Sequence, residues 1–183
     1  MTEKKKDISL EILPPKNQLR LFGYNKYFNS LAKLFKIGKL PNTILLSGLK
    51  GSGKATFSYH FINYLLSYNK SNKYLINDFA IDENNLDYKN ICNYIHPNFF
   101  LLENASSEES IKIENTRKLI KFLNKTTYSS DIKLVLIDNA EQLNVYSSNA
   151  LLKALEESSE KTFFIIIHNN SNKILSTIKS QHL

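Results

Sequence analysis

The residues with the plainest chemistry are Gly48-Leu49-Lys50-Gly51-Ser52-Gly53-Lys54-Ala55. They fit the phosphate-loop pattern G-x-x-x-x-G-K at every position but the last, where serine or threonine should stand. Glycines let the backbone curl until successive N–H groups converge on phosphate oxygens, and a following helix adds its positive end. Lys54 would bring a point charge to the β and γ phosphates. Ala55 removes the hydroxyl that would bind Mg²⁺. Thr56 carries one, but a single helical step turns it by about 100°. Gly48, Gly51, Ser52, Gly53, Lys54 and Ala55 are therefore expected to cradle a nucleotide, with weakened hold on its metal. The bland alternative is a glycine-rich turn with an incidental lysine.

A second run, Leu134-Val135-Leu136-Ile137-Asp138, is a buried strand ending in an acid. Such a carboxylate can hold a nucleotide's metal from the C-terminal edge of a parallel sheet, so Asp138 is the candidate Mg²⁺ ligand. A turn-forming Asp-Asn pair after a buried strand is common by itself. Its place downstream of the phosphate loop favours the chemical reading.

Both motifs need a sheet to hold them. Apolar runs predict strands at Thr43–Ser47, Asn98–Leu102, Ile132–Asp138 and Thr162–Ile167. Between them, helical spacing predicts helices over Tyr24–Lys39, after the glycine-rich loop, over Ile113–Lys125 and over Val145–Glu157. In the first, Tyr27, Phe28, Leu31, Leu34 and Phe35 form the apolar stripe. The second carries Phe57, Phe61, Ile62, Leu65 and Leu66 on one side. In the helix from Ile113, the inward residues are Ile113, Thr116, Ile120 and Leu123. Lys118, Lys121 and Lys125 stack on its other side. The asparagine-rich stretch from Ser67 to Asn93 admits at most one short helix, and Ile174–Ile178 a last helical turn. Alternating strands and helices imply an α/β fold with a parallel sheet covered on both faces. The expected strand order is 2-3-4-1, with the first strand at an edge. Residues 1–18, with Lys4-Lys5-Lys6 and Pro14-Pro15, read as a flexible basic arm before a domain spanning 19–183.

The 183 residues are 42% hydrophobic and 22% charged, enough for a buried core and against wholesale disorder. No apolar run reaches the roughly 18–20 residues of a membrane span, and Met1 to Asp7 lead into no signal core. With Cys92 the only cysteine, internal disulfides and multi-cysteine zinc sites are excluded. A cytoplasmic protein is expected. The formal charge of +7 invites a nucleic-acid partner, although there are only two arginines, Arg20 and Arg117.

Several runs together resemble the AAA+ clamp-loader subunits of bacterial DNA polymerase III, delta-prime above all. They are Leu21-Phe22-Gly23, Leu40-Pro41-Asn42, the phosphate loop, His96-Pro97-Asn98-Phe99, Ile113-Glu114-Asn115-Thr116-Arg117 and Ile137-Asp138-Asn139-Ala140-Glu141. The most specific is Asn149-Ala150-Leu151-Leu152-Lys153-Ala154-Leu155-Glu156-Glu157, close to the family's N-A-L-L-K-x-L-E-E. The resemblance covers the chain from about Leu21 to its end. It implies a P-loop NTPase AAA+ core and a role in loading the sliding clamp on primed DNA. The implied partners are the gamma/tau and delta subunits, the clamp and the DNA. It also places the family's polar sensor at Asn169, with His168 as the other choice, and directs Lys118, Lys121 and Lys125 toward DNA.

The departures matter as much. Where hydrolysing relatives carry a second acid after the first, this chain has Asn139, and an amide cannot take a proton. The family's S-R-C arginine, which reaches a neighbour's ATP site, corresponds to Gln181 in Ser180-Gln181-His182. The four-cysteine zinc module of several relatives has no counterpart, so no zinc is expected. The chain stops at Leu183 where a fifth strand would begin, so lid and collar domains are absent, as in a fragment or a shortened form. The expectation is a subunit that binds ATP and Mg²⁺ weakly and does not hydrolyse ATP. The alternative is an active gamma/tau-like ATPase motor. A small P-loop kinase is a weaker third reading, disfavoured by the N-A-L-L-K-x-L-E-E helix.

Overall fold

Alternation along the strands sorts the side chains into two cores. Leu134, Leu136, Phe163, Ile165 and Ile167 face one way, and Val135, Ile137, Phe164 and Ile166 the other. Each core closes only when helices cover it, because a fully buried Leu, Ile or Phe contributes about 1.5–3 kcal/mol over an exposed one. The computed structural model describes residues 12–104, 113–125 and 132–170.

The strands are β1 (Thr43–Gly48), β2 (Phe99–Leu102), β3 (Lys133–Ile137) and β4 (Thr162–Asn169). They pair in parallel in the order β1-β4-β3-β2, with Leu45 opposite Ile166 and Leu136 opposite Ile165. This is the expected order, with β1 at one edge. The helices are α1 (Asn25–Lys36), α2 (Lys54–Ser67), α3 (Leu86–Cys92), α4 (Ile113–Asn124) and α5 (Val145–Glu156). The first core packs against α1, α2 and α3, and the second against α4 and α5.

Local chemistry sets the helix ends. The Asn85 and Asn144 side chains cap α3 and α5 by accepting from the N–H groups of Tyr88 at 3.1 Å and Ser147 at 2.8 Å. Past the end of α1, Gly38 takes φ +68° and donates to the Phe35 carbonyl at 3.0 Å. The Lys133 ammonium donates to the carbonyls of Phe122 and Leu123 in the last turn of α4 and of Lys125 just past it, which fixes that helix's C-terminus over β3.

Three expectations need correction. Tyr27 is not part of the α1 stripe: it is exposed, while Phe28 and Ala32 are the buried contacts. Leu31, Leu34 and Phe35 pack, partly buried, against the same core as expected, while the Phe28 ring meets Phe57, Phe61 and Tyr64 edge-on and stacks on Tyr74. On α4, the fully buried contact is Leu119, with Thr116, while Ile120 and Leu123 are only partly buried. The largest difference is α2, buried around its whole circumference from Phe57 to Ser67. Its outer side is covered by the polar stretch after Ser67, including α3, and by a 3-10 turn at Pro15–Asn17. The polar residues there are paired: Asn63 donates to the Tyr59 carbonyl, and His60 bridges the Tyr74 hydroxyl and the Gln18 carbonyl. The short helix expected in that stretch is α3. Residues 1–11 of the N-terminal arm and the helical turn expected at 174–178 lie outside the described residues.

Candidate nucleotide site

A parallel sheet collects its strand C-termini on one edge, and the sequence motifs follow β1, β3 and β4 to that edge. The loop after β1 curls because Gly51 and Gly53 take φ +81° and +87°, a region costly for residues with a Cβ. At Gly53 the requirement is double, since a Cβ there would come within 3.3 Å of the Tyr24 ring. Lys54 opens α2, so the curled loop leads straight into a helix N-terminus. Its side chain is buried and folds back over the loop, donating to the carbonyls of Gly48 at 2.8 Å and Leu49 at 2.6 Å and to Ser52 Oγ at 3.4 Å.

The loop faces a cavity of about 320 Å³, lined by Lys50, Gly51, Gly53, Lys54, Ala55 and Thr56. Asp138, Asn139, Ile167, Asn169 and Pro15 complete the wall. Sequence reasoning therefore placed Gly51, Gly53, Lys54, Ala55, Asp138 and Asn169 on one cavity. Gly48 and Ser52 take part through their bonds to Lys54. His168, the other choice for the sensor position, turns away and shares a hydrogen bond with Ser47 at 3.1 Å.

Asp138 stands at the end of β3, its backbone N–H donating to the Leu102 carbonyl. Burial pushes its carboxyl up. The Asn139 N–H at 2.9 Å pulls it back, nearby Glu141 adds to the rise, and Lys54 and Lys50 oppose it. Asn139 takes φ +55°, a left-handed conformation that asparagine tolerates better than most residues. It begins a 3-10 turn, Ala140–Gln142, that carries Glu141 back toward β4. There Glu141 Oε2 accepts from the Asn169 N–H at 3.0 Å.

The lining fits a polyphosphate: a loop with two glycines at positive φ, a lysine and a helix N-terminus. For a divalent cation it offers the Asp138 carboxylate, with Ala55 contributing no oxygen. Thr56 does line the same cavity, although helical geometry had argued against it. Tyr24, Pro15, Lys50 and Glu141 were missed as site residues. Tyr24 and Pro15 have no spacing that marks them, while Lys50 and Glu141 sat in plain view inside the phosphate-loop run and the run from Ile137.

The other two sets of expected residues lie elsewhere. Lys118 and Lys121 on α4, and Lys125 just past its end, are all exposed. Gln181 lies outside the described residues.

A family model described as DNA polymerase III, delta subunit, matches residues 23–182 of this chain. The chain belongs to that family of clamp-loader subunits. Among curated relatives, the delta-prime subunit of Pseudomonas aeruginosa is 40% identical over 86 residues, covering 47% of this chain and 26% of its own length. The delta-prime subunit of Yersinia pestis is 26% identical across 86% of this chain and 44% of its own. A gamma subunit from Buchnera aphidicola is 30% identical across 92% of this chain and 44% of its own. The chain thus spans less than half the length of these relatives. A DNA polymerase III gamma subunit-related protein from Thermotoga maritima shares the fold, with a TM-score of 0.55 and 21% identity. That match covers 84% of this chain and 44% of that structure.

In this chain the phosphate loop, the acid after β3 and the asparagine ending β4 share one edge of the AAA+ core. Among the described residues, no helix is long and apolar enough to cross a membrane.

Proposed function

We propose that this chain forms the AAA+ core of a delta-prime-like subunit that helps load the sliding clamp on primed DNA without hydrolysing ATP itself. Family membership supports the setting. The observation that carries the second half is a single cavity wall on which an intact cradle, Gly51 to Lys54, stands beside Ala55 and Asn139. The cradle binds phosphate through N–H groups and the Lys54 charge. Beside Asp138, neither neighbour supplies the metal-binding hydroxyl or the carboxylate that would polarise an attacking water. ATP with Mg²⁺ would be held weakly, by Gly48, Gly51, Ser52, Gly53, Lys54 and Asp138, with Asn169 at the γ-phosphate end. Lys118, Lys121 and Lys125 form the surface offered to DNA phosphates, and Gln181 the contact offered to a neighbouring subunit.

Assembling the subunit that carries this chain with gamma/tau and delta tests the reading. Clamp loading on primed DNA should require the subunit and survive Lys54→Ala. Loading that proceeds equally well without it would overturn the proposal. One observation favours a gamma/tau-like motor instead, namely Thr56 among the residues of the cavity wall. Under that reading Thr56→Val abolishes turnover.

A further inference from the structure

At the edge of the sheet that carries the nucleotide cavity, β4 outruns one of its neighbours. β3 ends at Ile137, opposite Ile166, whereas β4 continues through Ile167 and His168 to Asn169. On its other side β1 keeps pace, with Gly48 opposite Asn169. The N–H groups of Phe164 and Asn170 both donate toward the β1 side, to the carbonyls of Asn42 and Gly48. Asn169 lies an odd number of residues from each, so its own N–H points the other way, to the side that β3 has left.

The chain after β3 supplies the acceptor by another route. Asn139, at φ +55°, turns the backbone out of the strand and into the Ala140–Gln142 turn, and Glu141 Oε2 then accepts from the Asn169 N–H at 3.0 Å. Gln142, the next residue, accepts from the Asn104 side chain at 2.7 Å, which ties the same turn to the segment following β2. The turn is held from both sides, and Glu141 is partly buried within it. A bond from a backbone N–H to a carboxylate is roughly twice as strong as a neutral one. Asn169 lines the nucleotide cavity and Glu141 does not, so whatever Glu141 does there it does through Asn169.

We propose that Glu141 is a positioning residue: its carboxylate holds the tip of β4 so that Asn169 meets the γ-phosphate end of a nucleotide, and it thereby sets the preference for ATP over ADP. This rests on the reading of the cavity as a nucleotide site with Asn169 at that end. A turn that merely steadied the sheet would weaken both nucleotides alike.

The test is the affinity of the subunit that carries this chain for ATP and for ADP, with Lys54→Ala as control. Glu141→Ala should weaken ATP by roughly tenfold and ADP by less than about twofold. Glu141→Gln should recover most of the loss, because its amide oxygen can still accept. Both changes remove the charge, so the difference between them reads the bond. In an Asn169→Ala background, Glu141→Ala should cost ATP nothing further. Without nucleotide, hydrogen exchange at the Asn169 amide should quicken in Glu141→Ala and far less in Glu141→Gln. Equal losses for ATP and ADP, losses that add to those of Asn169→Ala, no recovery with glutamine, or an unchanged exchange rate at Asn169 would overturn the proposal and leave the nucleotide site standing. ATP binding indifferent to Lys54→Ala would overturn the nucleotide reading, and this proposal with it.

Discussion

The Tyr24 hydroxyl donates to the Ser52 carbonyl at 2.5 Å, tying the residue before α1 to the middle of the phosphate loop. The same ring packs 5.2 Å from Phe57 on α2 and would crowd a Cβ at Gly53 to 3.3 Å. The loop is thus shaped from outside as well as by its glycines. It also faces a larger groove, about 730 Å³, along the free edge of β1.

Removing that latch should be visible. Tyr24→Phe keeps the ring and loses the bond, so the fold should lose about 1 kcal/mol and ATP or ADP affinity should fall several-fold. Isothermal titration beside a denaturation curve separates the two effects. Unchanged affinity would leave Tyr24 a packing residue only.

Gly53→Ala should do more damage. A left-handed conformation costs a residue with a Cβ about 1–2 kcal/mol, and the 3.3 Å approach to Tyr24 adds to it. Nucleotide binding should be lost outright, while Gly23→Ala, also at positive φ but with open space around it, should cost only the conformational part.

His60 makes stability depend on pH. Burial lowers its pKa to about 4, with the Gln18 carbonyl opposing, against 6.5 for a free imidazole. Between those values the unfolded chain binds the extra proton, so stability is full above about pH 6.5 and falls as pH drops toward 4. Urea denaturation should show about 2 kcal/mol less stability at pH 5 than at pH 7 from this group. A flat profile between pH 7 and 5 would contradict the buried neutral imidazole.

The Asp87 carboxylate anchors the segment that covers α2, bonded to Lys70 at 2.7 Å and to His96 at 3.1 Å. The Asn98 N–H donates to His96 Nδ1, leaving Nε2 as the nitrogen that donates to Asp87. Although burial alone would raise its pKa, these partners hold Asp87 below the usual carboxylate range. Its contribution is therefore present above the unfolded value, near 3.8, and lost as pH falls through the folded one. Asp87→Ala should destabilise by about 3 kcal/mol, because His96 loses its buried partner, and hydrogen exchange should quicken first in residues 70–98.

Much of this was legible in the sequence because period and punctuation agree. Buried parallel strands are short apolar runs, and Gly51, Gly53 and Asp138 sit where strand ends must put them. The wrapping of α2 was not legible. Only one apolar side of that helix was marked by its spacing, and tertiary partners such as Tyr74 and Gln18 are what bury His60 and Ser67 on the others. Tyr24 was hidden for a similar reason. Its contact with Ser52 spans 28 residues and leaves no periodic trace. Asn139 was read for its missing acid, whereas its left-handed backbone gives a second reason for asparagine there.

Whether this cradle holds phosphate without hydrolysing it is decided most directly by ATP turnover of the subunit within its assembled complex, compared with the same complex carrying Lys54→Ala. Identical rates in the two complexes are the predicted result, all turnover then belonging to other subunits. A Lys54-dependent component approaching about 1 s⁻¹ would contradict the account and make this chain a working ATPase.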